Sequence, residues 1–165
     1  MSFDGRQIAN FSLDFGDSKG RPISHLCLHK IIYFCHVWSL VELGQPLVRE
    51  KFAAWKYGPV LQNLYRQFES CENYPIHQRA TVLNPLTGIR EVAHYMFDSA
   101  IEQFLRRTLE VYTRLTSTEL IDLAHIPNGP WHQVWNHSGL SNPGMLIDNE
   151  RILSFYLRGG AVTRH

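Results

Sequence analysis

Histidines are the most conspicuous chemically active residues of this chain, which has nine of them among 165 residues. His25 and His29 are four residues apart, and His36 follows on nearly the same face if the segment is helical. Two imidazoles at this spacing can bind zinc. However, the sequence contains no His-Glu-x-x-His motif, and no carboxylate shares that face. We therefore favour partly buried, hydrogen-bonded histidines and predict no stoichiometric zinc.

Catalytic motifs give no support to an enzymatic function. Cys35 and His36 are sequence neighbours, and neighbours on a helix point about 100° apart, so the two side chains do not face each other. A cysteine in an apolar helix usually packs as a small hydrophobic residue. The sequence has no nucleophile elbow, no P-loop and no dinucleotide-binding fingerprint. We predict that the chain is not an enzyme and needs no cofactor.

Composition predicts a cytoplasmic protein that binds neither membranes nor nucleic acid. Cys27, Cys35 and Cys71 cannot form a full disulfide framework, which is typical of a reducing compartment. The N-terminus lacks the basic start and apolar run of a signal peptide. The net charge of +1 gives no sign of the basic surface that nucleic-acid-binding proteins carry.

Aromatic residues near prolines form a second group, which could bind a protein partner. Trp and Tyr combine a large apolar body with one polar group and are enriched at interfaces. We interpret Trp55 and Trp131 mainly as core residues where loops cross, with His125 bonded to a backbone carbonyl and Lys56 exposed to solvent. The candidate partner-binding residues are Trp55, Lys56, Tyr57, Gly58, Pro59, Tyr65, His125 and Trp131.

The segment 24–43 predicts the central element of the fold. Thirteen of the 18 residues from Leu26 to Leu43 are apolar, and the polar ones scatter around a helical projection. A helix that is apolar on nearly all sides is buried, so the other elements are expected to pack around it. Ser24 is the predicted N-cap, and Gly44 is predicted to end the helix in a left-handed conformation.

Turn and capping signals predict the remaining elements. Pro59 is expected in the first turn of a helix over 60–68, residues 6–15 form a short helix, and the pattern allows one small β-hairpin over 81–95. The predicted helix starts are a capping box of Ser99 with Glu102, a capping box of Thr116 with Glu119, and an Asp148 cap with a staple of Ile147 and Ile152. The expected end of the last helix is Gly159-Gly160. The sum is a mainly α, single compact domain over 1–165, with its core at about 5–157.

The order of these motifs resembles the Panacea antitoxin domain family, which includes SocA-like and phage-associated GepA-like proteins. The resemblance rests on LCLHKIIYFCHVW at 26–38, GQPL at 44–47, FAAWKYGPV at 52–60, and a Leu-Ala-His segment followed by Pro-Trp at 123–131. The chain departs from the family pattern at three positions. His29 stands where Gln is usual, Cys27 where Lys is common, and Ala124 where Thr is usual.

The resemblance implies an antitoxin that binds a cognate toxin protein directly and neutralises it. It further implies a protease as a second partner, to which the antitoxin would deliver the toxin. Two alternatives remain open. One is a metal-dependent hydrolase of a mobile element that uses His25, His29 or His125, and the other is a nucleic-acid-binding autoregulator. The second alternative is weaker because the chain has no room for an added helix-turn-helix domain.

Overall fold

This computed structural model describes residues 2–136 and 145–158, and those residues form a mainly α-helical fold with two small β-sheets. The α-helices in these ranges are α1 Gly5–Ser18, α2 His25–Trp38, α3 Gln62–Phe68, α4 Ser99–Tyr112, α5 Ser117–Ala124, α6 Pro130–Trp135 and α7 Asn149–Leu157, and a short 3-10 helix, Glu69–Cys71, follows α3. The strands are β1 Phe52–Trp55, β2 Gly58–Val60, β3 Thr81–Leu83, β4 Arg90–Val92 and β5 Leu146–Ile147. The predicted mainly α fold class is confirmed. The predicted helix end at Gly159-Gly160 lies outside the described residues.

Helix α2 is the buried centre of the fold, as its sequence predicts. It packs against α1, α3, α4, α5, α7 and β2. The segment His25–Leu43 is long and apolar enough to span a membrane, but 72% of its apolar window is buried inside the protein. Burial of this kind is what the core helix of a folded domain shows.

The ends of α2 follow the capping signals, with one difference. The Ser24 hydroxyl accepts a hydrogen bond from the backbone N–H of Cys27 at 3.3 Å, so the predicted N-cap is confirmed. The α-helix stops at Trp38, and Ser39–Leu43 form a π-helical turn rather than the last turn of the predicted α-helix. Gly44 closes the turn with a φ of 69°, the left-handed conformation predicted for it.

The region around Pro59 corrects a prediction. Strand β1 pairs antiparallel with β2, Ala54 opposite Pro59 and Trp55 opposite Gly58, so Lys56 and Tyr57 form a two-residue hairpin loop. Pro59 therefore lies in a strand, and the helix that it was predicted to begin starts only at α3. The sheet order is β2-β1-β5, so β2 is an edge strand. Proline has no backbone N–H to donate, and at the outer edge of β2 no neighbouring strand needs that donor.

The other turn signals are mostly confirmed. Strands β3 and β4 form the predicted hairpin, and α5 begins with the predicted capping box of Thr116 and Glu119. Asp148 caps α7 as predicted. The predicted capping box of Ser99 is wrong, because the carboxylate of Asp98 accepts the Ile101 N–H at 2.9 Å and Ser99 is already helical.

Candidate functional site

A pocket of about 670 Å³ lies between the N-terminal half of α2, the β1–β2 hairpin and α3. We call it the hairpin pocket. Its lining includes His25, Lys30, Trp55 and Tyr65, while two acidic side chains of the segment after α3, Glu69 and Glu72, also border it. Such a volume is within the range of small-ligand sites. The structure thus brings four of the predicted partner-binding residues, Trp55, Lys56, Tyr57 and Tyr65, to one place with two of the histidines.

The two histidines of this pocket are bonded to each other rather than arranged for a metal. The Nε2 atoms of His25 and His29 are 3.1 Å apart. Nδ1 of His29 accepts the backbone N–H of Leu61 at 3.2 Å. Because that amide can only donate, the neutral His29 ring carries its proton on Nε2 and donates it to Nε2 of His25. His25 then carries its own proton on Nδ1.

Burial keeps both imidazoles neutral. It lowers the pKa of His25, and it lowers the pKa of His29 well below the ordinary value. The positive charge of Lys30 adds to the lowering of both pKa values. Among the described residues no three histidine, cysteine, aspartate or glutamate side chains come together as a possible metal site. The absence of stoichiometric zinc stays a prediction.

His36 repeats the arrangement of His29 seven residues further along α2. Its Nδ1 accepts the backbone N–H of Val48 at 3.1 Å, and its Nε2 lies 2.8 Å from Oδ1 of Asn149. Each of these two buried rings therefore fixes the backbone of a segment that follows α2. The preferred interpretation of the histidines as hydrogen-bonded structural residues is confirmed for His29 and His36.

Lys30 is the feature of the pocket that sequence reasoning did not select. The side chain is only 3% exposed, and its ammonium donates to the backbone carbonyl of Leu26 at 2.8 Å. It takes part in none of the ion pairs between described residues. Burial lowers the pKa of Lys30 to about 8, which leaves the side chain mostly protonated at neutral pH. The signal in the sequence was a lone lysine inside an apolar helix.

The aromatic wall of the pocket is a chain of ring contacts. The Trp55 ring lies 4.8 Å from the Tyr65 ring, which lies 4.7 Å from the His25 ring. The hairpin loop beside this wall exposes Lys56 and Tyr57, and Tyr57 is 58% exposed. The Lys56 ammonium lies 5.4 Å from the centre of the Tyr57 ring, a cation–π contact at the surface. Lys56 is exposed, as predicted.

Gly58 holds the hairpin close to α2 and α5. Its φ of 124° is a conformation that residues with a side chain rarely adopt. A Cβ atom at this position would lie 3.3 Å from Cε of Lys30 and 3.6 Å from Cβ of Ala124. Because Gly58 has no side chain, the aliphatic chain of Lys30 can pack directly against the hairpin.

Trp131 supports the hairpin from the other side. It is 5% exposed, and its indole N–H donates to the backbone carbonyl of Trp55 at 2.7 Å. Its ring stacks on His125, with centroids 3.7 Å apart and planes 6° apart. The interpretation as a core residue is confirmed for Trp131, whereas Trp55 is half-buried and lines the pocket.

His125 interacts with the backbone of Tyr57 through a hydrogen bond that raises its pKa, in line with the expected bond to the backbone. Its Nε2 is buried and has no hydrogen-bond partner among the described residues. Burial and the Lys30 charge lower the pKa of His125, although Asp122 and the backbone of Tyr57 act in the opposite direction. The ring also stacks on Trp131.

Known proteins match this chain over most of its length. The family described as "Antitoxin SocA-like, Panacea domain" matches residues 28–132. This chain belongs to the SocA-like antitoxin family. It is 36% identical over 139 residues to Antitoxin SocA of Caulobacter vibrioides (strain NA1000 / CB15N), an alignment that covers 84% of this chain and 74% of that protein. No solved structure matches it.

The family assignment and the pocket geometry concern the same part of the molecule. The SocA-like segment 28–132 includes Lys30, the complete β1–β2 hairpin, α3 and Trp131. His25 lies before the matched segment. The predicted resemblance to the Panacea antitoxins is confirmed, and an antitoxin role follows at the level of the family.

Proposed function

We propose that this protein neutralises a cognate toxin by binding it directly, in the cytoplasm, as a non-enzymatic antitoxin with a single domain. The observation that carries the proposal is the family match at 28–132 together with 36% identity to Antitoxin SocA over 139 residues. On this reading, the toxin protein is the partner, and the protein needs neither cofactor nor nucleic acid.

The surface around the hairpin loop is the contact face that we favour. Interface hot spots are enriched in aromatic residues that sit beside well-packed pockets. Tyr57 is the exposed aromatic residue of this loop, and Trp55 and Tyr65 form the wall of the pocket next to it. The hydrogen bond from Trp131 to Trp55 and the close packing of Gly58 against α2 and α5 hold this loop in place. The toxin would therefore bind a surface that is already ordered.

Growth of cells that express the neighbouring gene tests the proposal. The reading frame adjacent to this gene is induced with and without the antitoxin, and the two products are then purified together. Arrested growth, rescue and a stable complex are expected. An unaffected culture, or rescue without any complex between the purified proteins, would contradict direct neutralisation.

Toxin abundance in the same cells tests the second possibility implied by the family, delivery of the toxin to a protease. Inhibition alone leaves the toxin level unchanged during rescue, whereas an adaptor lowers it. A toxin variant that no longer arrests growth serves as the control, because its level can be followed in growing cells.

A further inference from the structure

The hairpin pocket contains a buried positive charge that pairs with no anion among the described residues. Lys30 is 3% exposed, lines the pocket, and joins no ion pair between described residues. An ammonium group has three N–H donors, and here one of them is used, on the carbonyl of Leu26. A buried charge without a partner carries a large desolvation cost. The fold therefore bears a cost at this position that a packing residue such as Met would avoid.

No carboxylate of the described residues pairs with Lys30. Glu69 and Glu72 border the same pocket without an ion pair to it. The one charge that raises the pKa of Lys30 is that of the Cys27 thiol group. His25 and His29 are bonded to each other through their Nε2 atoms, and a neutral imidazole has no charge to offer. Gly58, which has no side chain, lies against the aliphatic stem of Lys30. Lys30 thus remains open to an anion on a molecule bound in the pocket.

The walls of the pocket indicate the shape of the molecule that carries this anion. Trp55, Tyr65 and His25 present a continuous set of rings, with neighbouring centroids 4.8 and 4.7 Å apart. Planar or apolar groups pack well against such rings. A carboxylate gains most from an ammonium in a site from which water is excluded.

We propose that the hairpin pocket binds a carboxylate attached to a planar or apolar body, with the carboxylate on Lys30 and the body against Trp55 and Tyr65. Phosphate esters fit less well, because a dianion on a single lysine, with Glu69 and Glu72 also bordering the pocket, is left partly uncompensated. The carboxylate has two possible sources, a residue of the toxin or a free aromatic acid. The site itself is the same in both cases.

Isothermal titration of the purified protein with indole-3-acetate and with its neutral analogue indole-3-acetamide tests the site without any toxin. The acid is expected to bind at least about ten-fold more tightly than the amide, because only the acid pairs with the ammonium. Lys30→Met should remove this preference, and Lys51→Met, an exposed lysine outside the pocket, should keep it. Trp55→Ala should weaken acid and amide alike.

Three results would overturn the site: no binding of either compound, equal binding of both, or a preference that survives in Lys30→Met. The comparison of acid with amide uses the natural protein, so it stands even if a variant fails to fold. Circular dichroism and melting curves show whether Lys30→Met keeps the native structure.

Competition then identifies the source of the carboxylate. If a toxin residue occupies the pocket, indole-3-acetate displaces the toxin from the purified complex and indole-3-acetamide does not. If the site takes a free acid, the complex survives both compounds. Because the titration needs no toxin, failure of the proposed antitoxin function and failure of the acid site give different results.

Discussion

The indole N–H of Trp131 donates a hydrogen bond to the backbone carbonyl of Trp55, with 2.7 Å between the nitrogen and the oxygen. This bond joins α6 to the last residue of β1, 76 positions away in the sequence. The same indole stacks on His125 at the end of α5. One buried side chain thus holds three elements around the hairpin pocket.

Removal of the whole Trp131 side chain should lower the free energy of unfolding more than removal of its N–H alone. Trp131→Ala is expected to lower the free energy of unfolding by about 3–5 kcal/mol, because a buried ring leaves a cavity. Trp131→Phe retains most of the packing but leaves the carbonyl without this donor, which should cost about 1–3 kcal/mol. Urea unfolding of both variants measures the difference. Trp135→Phe is the control, since Trp135 is 42% exposed and should cost little; an equal loss in all three variants would contradict this role of Trp131.

Gly58→Val should destabilise the fold through both the backbone and the neighbouring side chains. A residue with a side chain is strained at a φ of 124°, and the new Cβ would lie 3.3 Å from Lys30. Backbone strain of this kind costs about 1–3 kcal/mol, and the close contact adds to it. Thermal unfolding should show a clear fall in the melting temperature.

Gly88→Val is the matched control for Gly58→Val. Gly88 also has a positive φ, 71°, but nothing lies within 4 Å of a Cβ atom there. The melting temperature of Gly88→Val should therefore fall less than that of Gly58→Val. If both valine variants melt at the same temperature, the approach of α2 and α5 to Gly58 is not what requires glycine.

Acid should destabilise this protein through its buried histidines. Burial lowers the pKa of His25, His29 and His36 in the folded state, whereas the unfolded chain protonates them near 6.5. Below that pH the unfolded state binds more protons, so the free energy of unfolding falls as the pH falls toward the folded-state pKa values. For each histidine that is neutral in the folded state and protonated in the unfolded state, the free energy of unfolding falls by about 1.4 kcal/mol for each pH unit of acidification.

His29→Gln should flatten this acid dependence. A glutamine carbonyl can still accept the Leu61 N–H that His29 accepts at 3.2 Å, but it does not titrate. Urea unfolding between pH 5 and 7 compares the slopes of the variant and the natural protein. His77→Gln, at an exposed position, should leave the slope unchanged. A slope in His29→Gln as steep as in the natural protein would show that other groups cause the acid dependence.

Lys30→Met should stabilise the protein near neutral pH. Lys30 has a pKa of about 8 in the folded state and 10.5 as its ordinary value, so the unfolded state binds more protons between these two pH values. Between about pH 8 and 10.5 the free energy of unfolding of the natural protein should therefore rise relative to that of the variant. The total rise is on the order of 3 kcal/mol. Unfolding curves of both proteins at pH 7, 8.5 and 10 measure this. A variant that is less stable at pH 7 would indicate a structural role for the lysine.

The central helix and most capping positions could be predicted because their signals are local. Apolar periodicity marks α2, and the side chains of Ser24, Thr116 and Asp148 accept backbone N–H groups within three residues of their own positions. Asp98 was missed in favour of Ser99 because both are good caps and only the backbone geometry separates them.

The three-stranded sheet could not be predicted because its pairing is not local. Strand β1 pairs with β5, more than 90 residues later in the chain, and Pro59 normally indicates a turn or a helix start. The candidate site shows the same division. Trp55 and Tyr57 stood out by residue type, whereas Lys30 became significant only when its burial without an anion was seen.

Tyr57→Ser should separate the contact face from the scaffold. Tyr57 is 58% exposed in the hairpin loop, so its loss should leave the melting curve unchanged but reduce rescue of cells that express the toxin. Trp131→Ala should lose both rescue and stability, because it disrupts the support of that loop. Leu86→Ser is the control at the tip of the other hairpin, since Leu86 is 94% exposed and distant in sequence from the pocket residues. Growth rescue, co-purification and melting temperature are measured for all three variants. Full rescue and an intact complex with Tyr57→Ser, or equal losses with Leu86→Ser, would place the toxin on a different surface of the protein.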